Sequence, residues 1–393
     1  MPAYIHQLET LVPEKSYSMA FARDFMQKHV ADRDAIKRIL HRVYALSGID
    51  KRHSVITEFD SGESGDFFDA ETQTFLNPGT GARNDRYTGA AKAMFTALAE
   101  KTVDASDFGR ADITHVITVS CTGFFAPGPD YYIVRALDLP PTTRRYHIGF
   151  MGCYAAFPAL KMAETITAEN PDAVVLIVCL ELCTIHLQPK TDTDSLLSAA
   201  VFADGAGAAI VSRREPAPTK PALRMDGLFT ALTPQGERDM AWTIGDNGFD
   251  MVLSTYIPDI IQANIGDLLL PILGENPDPE QFGYWAVHPG GRAILDKIEH
   301  SISLKPEQLA PSRATLRDYG NMSSATILFV LKSLLYDFPA KNKPVISMAF
   351  GPGLTVETGL FTPLNQPSQQ SPNHSQPEAE IPESSDAAVS PKS

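Results

Sequence analysis

Basic side chains are in short supply here: 33 Lys and Arg face 47 Asp and Glu, leaving a net charge of −14 over 393 residues. That deficit argues against non-specific nucleic-acid binding as the main task, although a local basic patch can still hold an anionic ligand. Long apolar runs are missing too. No stretch of about 18 apolar residues occurs, so no transmembrane helix and no stable membrane insertion is expected. The N-terminal stretch MPAYIHQLETLVPEKSYSMA lacks a basic segment followed by an apolar one, which argues against a secretory signal. Cysteine is scarce: four residues, at 121, 153, 179 and 183, do not make a disulfide framework in so long a chain. They read as reduced thiols in a cytoplasmic protein. Cys179 and Cys183 have rough ligand spacing, but no second Cys/His pair answers them, so no metal site is expected.

What is present is ordinary globular material, 44% hydrophobic and 20% charged, and long enough for two domain-sized halves. Residues 20–46 have the apolar spacing of a helix, as do 82–102, 153–169, 292–302 and the apolar run 323–338. Apolar runs at 113–120, 145–150, 172–182 and 206–214 read as strands. The long 172–182 run suits the centre of a sheet covered on both faces. Strands alternating with helices predict an α/β layered fold. The Pro-rich break REPAPTKPAL (214–223) divides the chain, giving halves 1–220 and 221–362. Beyond Thr362 the sequence is rich in Pro, Ser and Gln, and residues 363–393 are expected to be a disordered tail.

Within GFMGCYAAFPAL, Cys153 stands where a strand gives way to a helix. A buried Cys is often a small hydrophobe. At a helix mouth it can instead be a nucleophile, because the dipole and free N–H groups favour thiolate. His288, in AVHPGG, ends an apolar strand, the end at which α/β folds open their ligand crevice. Asn321, in YGNMSSA, precedes an apolar helix and could be no more than a cap. Together the three make a set suited to thiol catalysis.

The blocks GFMGCYAAFPAL, AVHPGGRAIL, YGNMSSATILF and AFGPGLTVE, with SCTGFFAPGPDY and VFADGAGAAIV, resemble the type III polyketide synthases, the chalcone and stilbene synthase family. The resemblance runs in order from about residue 10 to 362. It implies a thiolase fold of two pseudo-symmetric αβαβα-layered halves, a homodimer, and no cofactor beyond CoA thioesters. By the same resemblance Cys153 is the nucleophile that takes an acyl starter from CoA. His288 assists the thiolate and then, with Asn321, hydrogen-bonds the thioester carbonyl while malonyl-CoA decarboxylates. Phe202 matches a gatekeeping aromatic and Arg42 a contact to CoA phosphates. Leu46 stands where plant members carry Lys, which leaves Arg38, Lys51 and Arg52 as substitutes or as solvated surface charge.

Other positions depart from the plant pattern. Met251 replaces a second gatekeeping Phe, and Trp242 replaces a cavity-lining Gly. Cys121 and His186 replace cavity Thr residues, and Ser323 belongs to the same substrate-binding set. SCTGFFAPGPDY, GFMGCYAAFPALKMA and VCLELCTIHL resemble microbial synthases that extend fatty acyl starters to alkylresorcinols or alkylpyrones. The expected partners are therefore a medium- or long-chain acyl-CoA and malonyl-CoA. A single-condensation ketoacyl carrier protein synthase shares the Cys/His/Asn set. A Cys/His/Asn hydrolase and a non-catalytic scaffold are the readings from other classes.

Overall fold

Alternating strands and helices do form the predicted α/β architecture, and it is organised around one continuous ladder. In the computed structural model residues 1–274, 278–338 and 343–365 are described. The principal strands are β1 (Ala3–Leu11), β2 (His115–Ser120), β3 (Arg144–Gly149), β4 (Val174–Leu182), β5 (Asp204–Ser212), β6 (Ala222–Leu232), β7 (Met240–Gly245), β8 (Gly248–Leu253), β9 (Tyr284–Val287), β10 (Val345–Gly351) and β11 (Thr355–Leu364). The main helices are α1 (Met19–His29), α2 (Asp34–Leu46), α3 (Thr80–Ala105), α4 (Pro129–Ala136), α5 (Ala156–Glu169), α6 (Thr193–Val201), α7 (Ile257–Leu273), α8 (Arg292–Ser301), α9 (Ala310–Tyr319) and α10 (Thr326–Tyr336).

Nine strands pair in the order β9-β10-β11-β6-β1-β5-β4-β2-β3. The pairing repeats about the β1–β6 contact. Outward from β1 come antiparallel β5, antiparallel β4 and parallel β2. Outward from β6 come antiparallel β11, antiparallel β10 and parallel β9. The two sets are thus pseudo-symmetric, and β1 meets β6 antiparallel with Ala3 opposite Met225.

Strand alternation then produces the layers. On β4, Val174, Leu176, Val178 and Leu180 pack with α3 and α4, while Val175, Ile177 and Cys179 pack with α5 and α10. On β10, Ile346, Met348 and Phe350 pack with α7 to α9, while Val345 and Ala349 join α5 and α10. Helices α5 and α10 therefore form the middle layer. Each fully buried aliphatic side chain there contributes roughly 1.5–3 kcal/mol. Helix α10 (TILFVLKSLLY) is apolar nearly all round, as burial on several sides requires.

The differences from expectation have local causes. The helix expected at 20–46 is two helices, because the polar run at 32–34 interrupts the stripe and Arg33 is extended. The helix after Cys153 begins at Ala156, since Gly152 has φ +87° and residues 153–155 form a turn. The tail starts later than position 363: Pro363 and Leu364 pair with Leu223 and Ala222, and Asn365 Nδ2 donates to Ala217 O. The rest of the expected tail, 366–393, lies outside the described residues. The strand β1, the β7–β8 hairpin and the helix α7 had no counterpart in the sequence reading.

Candidate active site

Three separate segments bring the expected residues to one cavity. Cys153 follows β3 on a loop held by close packing against the chain between β10 and β11. A Cβ at Gly152 would lie 2.6 Å from Pro352 Cδ, and one at Gly351 would lie 2.3 Å from the Tyr154 ring. With φ +87° as well, Gly152 is a position that only glycine fits comfortably. The GFMGC and FGPG blocks are thus two sides of one contact.

His288 immediately follows β9, and its backbone N–H donates to Met348 O at 2.7 Å. It is 1% exposed, and neither ring nitrogen has a hydrogen-bond partner among the described residues. Asn321 lies in the turn between α9 and α10. Its Oδ1 accepts the Ser323 N–H at 2.9 Å and lies 4.0 Å from Cys153 Sγ, while Nδ2 donates to Gly290 O at 3.2 Å. The side-chain amide is therefore fixed to the turn that carries His288. A backbone bridge joins Asn321 to Phe202, with the Asn321 N–H on Val201 O and the Ala203 N–H on Asn321 O, both at 2.9 Å.

Burial dominates the electrostatics of this site. Desolvation pushes the Cys153 thiol up to about 11, despite hydrogen bonding with Ser323 and Asn321 that lowers it. Desolvation also pushes the His288 imidazole down to about 3. Burial thus shifts both groups toward their neutral forms.

The cavity, about 40 Å³, is lined by Cys121, Cys153, Cys183, Phe202, Trp242, Met251, His288, Asn321 and Ser323 among others. A larger one of about 280 Å³ shares Cys183, Phe202, Trp242 and Met251 with it and is walled further by Tyr17, Phe21, Phe25, Met26 and Tyr44. His186 lines only the larger cavity. Its Nε2–H donates to Thr122 O at 2.8 Å and its Nδ1 accepts the Phe249 N–H at 3.1 Å, so it is a satisfied neutral wall residue. Arg42 is exposed on α2 and lines neither cavity, as is Arg38. Arg52 is not solvated surface charge: it is half-buried, lines the larger cavity and donates to Phe202 O at 2.6 Å.

One residue the sequence reading passed over is Glu181. It is fully buried behind the cavity and accepts from the Cys121 N–H and the Thr122 hydroxyl, both at 2.9 Å, and from Ser324 Oγ. Burial raises its carboxyl to about 7. The signal was a lone carboxylate in the apolar run VVLIVCLEL, since buried Glu is rare unless partnered. Among the described residues no group of three or more His, Cys, Asp and Glu could hold a metal ion, and no helix is long and apolar enough to cross a membrane.

Family models match nearly the whole described chain: chalcone and stilbene synthases, N-terminal domain, over residues 2–215, and C-terminal domain, over residues 228–364. The chain belongs to the chalcone and stilbene synthase family. It is 35% identical to "Type III polyketide synthase B" of Arabidopsis thaliana over 282 residues, which cover 66% of this chain and 72% of that protein. The crystal structure of PKS-I from the brown alga Ectocarpus siliculosus superposes with a TM-score of 0.82 at 26% identity, covering 92% of this chain and 98% of that one. The C-terminal type III polyketide synthase domain of Steely1 from Dictyostelium shares the fold, with a TM-score of 0.81 at 24% identity, covering 92% and 99%. This type III polyketide synthase has the thiolase-like fold of its family. It is an acyltransferase that uses malonyl-CoA, and the family needs no cofactor beyond CoA thioesters.

Proposed function

We propose that Cys153 carries the acyl chain, that His288 and Asn321 serve both its loading and malonyl decarboxylation, and that the starter is a medium- or long-chain fatty acyl-CoA closed to an alkylresorcinol or alkylpyrone. The observation that carries this reading is a buried imidazole, its two nitrogens without partners among the described residues, lining the same small cavity as the thiol and an anchored amide. A neutral imidazole can accept a proton at one nitrogen and donate at the other. In loading, one His288 nitrogen takes the Cys153 proton as Sγ attacks the starter carbonyl, and CoA leaves as its thiol with that proton. In extension, malonyl-CoA loses CO2, and the charge of the resulting enolate falls on the thioester oxygen. The His288 N–H and the second N–H of the Asn321 amide stabilise that oxygen, each such donor being worth about 3–4 kcal/mol. The enolate carbon then attacks the Cys153 thioester, releasing the thiolate and leaving a chain two carbons longer on CoA, which returns to Cys153 by the same transfer, freeing CoA. A carboxylate in place of Asn321 would repel both malonate and enolate.

Support for a fatty starter comes from the larger cavity. At about 280 Å³ it approaches the size that takes a whole small ligand, and Tyr17, Phe21, Phe25 and Met26 give it an apolar wall. Phe202, Trp242 and Met251 stand between it and the thiol, which suits a gating role. Residues 1–220 and 221–362 are read as the two halves, joined between β5 and β6. The protein is further read as a homodimer acting in the cytoplasm, with β3 as the exposed sheet edge available to a second copy. Product analysis with a length series of acyl-CoA starters and labelled malonyl-CoA tests the substrate assignment. Alkylresorcinols or alkylpyrones that retain the acyl tail and incorporate the label are expected. Turnover restricted to aromatic starters, or release of free acid without label, would overturn it.

A further inference from the structure

Arg83 is among the largest fully buried side chains of the protein, and none of its hydrogen-bond partners is a carboxylate. A buried guanidinium without a counter-ion is costly unless its donors are well used. Here Nε donates to Pro78 O at 2.9 Å, Nη2 to Asn77 Oδ1 at 2.8 Å, and Nη1 to both Ile185 O and Leu187 O, the latter at 2.9 Å. Its plane also lies 5.3 Å from the Phe67 ring centroid. Burial lowers its pKa only to about 10, so it stays charged at neutral pH.

The two carbonyls held by Nη1 flank His186. The His186 ring stacks on Phe249 at 4.0 Å between centroids and meets the Trp242 edge at 5.5 Å. Its Nδ1 holds the Phe249 N–H. One turn earlier on α3, Thr80 grips the other side of the same wall. Its hydroxyl donates to Gly245 O and accepts the Gly248 N–H at 2.9 Å, and its own N–H donates to Asp246 O at 2.8 Å. The β7–β8 turn thus sits on the start of α3. It fits only because Gly248 has φ +110° and no side chain, since a Cβ there would lie 3.0 Å from Arg83 Cδ and Nε. Trp242 and Met251, directly opposite each other across this hairpin, line both cavities.

We propose that Arg83 and Thr80 form a positioning clamp that fixes the hairpin wall between the two cavities and thereby sets which acyl chain lengths the enzyme accepts. This deepens the reading of the larger cavity as the acyl site and rests on it. A lysine could replace the charge of Arg83 but not its fork, which reaches oxygens on two segments, 77–78 and 185–187, at once.

The test compares wild type with Arg83→Lys and Thr80→Ala. In each, acyl loading on Cys153 is followed by intact-protein mass spectrometry, and kcat/KM is measured across a series of saturated acyl-CoA starters. Access of Trp242 is followed by acrylamide quenching, the only other tryptophan, Trp285, being fully buried. The expected result is retained loading, a shift on the order of tenfold in the ratio of long- to short-starter kcat/KM, and stronger quenching. A lower melting temperature with unchanged ratio and unchanged quenching would assign the clamp a purely structural role and overturn the proposal. If Arg83→Lys does not fold, Thr80→Ala alone decides, by the same two outcomes. Failure of wild type to load any fatty acyl-CoA would instead defeat the underlying substrate reading.

Discussion

At the scale of single residues, the chemistry is governed by desolvation. Cys153 and His288 are each driven toward their neutral forms by burial. Glu181 obeys the same physics with a stability consequence. Its carboxyl is raised to about 7 in the folded protein from an ordinary value near 4.5. The folded state therefore binds this proton more tightly than the unfolded chain. The resulting stabilisation is full below about pH 4.5 and is lost as pH rises through 7. Glu181→Gln, which cannot ionise, removes that dependence. Relative to wild type its stability should rise by up to a few kcal/mol between pH 5 and pH 8, read from denaturant unfolding at each pH. A constant difference across that range would show that Glu181 does not titrate there. Sequence alone singled out Cys153, His288 and Asn321 because each sits at a strand end or helix start. Glu181 showed only as a lone carboxylate in an apolar run, and its role stayed hidden because its partners Cys121, Thr122 and Ser324 come from distant segments.

At the scale of elements, legibility followed periodicity. Strands β2, β4 and β5 and helix α10 have continuous apolar runs or clear stripes and were read within a few residues. Strand β1 (AYIHQLETL) was missed because His6, Gln7 and Glu9 break its alternation, and it is a strand through pairing with β5 and β6. The β7–β8 hairpin was missed for a related reason. Its turn depends on Thr80 and Arg83, some 165 residues away in sequence. Element β3 carries a prediction of its own. It closes the ladder at one edge, and Arg144, Arg145, Tyr146 and His147 along it are exposed in the single chain. An open edge of this length invites a partner strand. Sedimentation equilibrium should give twice the chain mass, and a monomer at micromolar concentration would remove the dimer from the account.

At the scale of the whole molecule, the pseudo-symmetric ladder places the site. β3 feeds the Cys153 loop on one side, while β9 and the turn before α10 bring His288 and Asn321 from the other half. The middle layer of α5 and α10 begins immediately behind them. Two α/β halves of similar size pointed to a duplicated layout and the family resemblance to its pseudo-symmetry, but no residue-level repeat shows it, because the halves share pairing order rather than residues. The glycine contacts at 152 and 351 show why those blocks are informative together: each glycine is required by the other segment's approach. The central claim is that Cys153 is where the acyl chain is built, and intact-protein mass spectrometry after mixing with a fatty acyl-CoA and then malonyl-CoA tests it most directly. The account predicts an acyl adduct on Cys153 that gains two-carbon ketide units when malonyl-CoA is added, with neither adduct in Cys153→Ala. An adduct that persists in Cys153→Ala, or that maps to Cys121 or Cys183 in wild type, would contradict it.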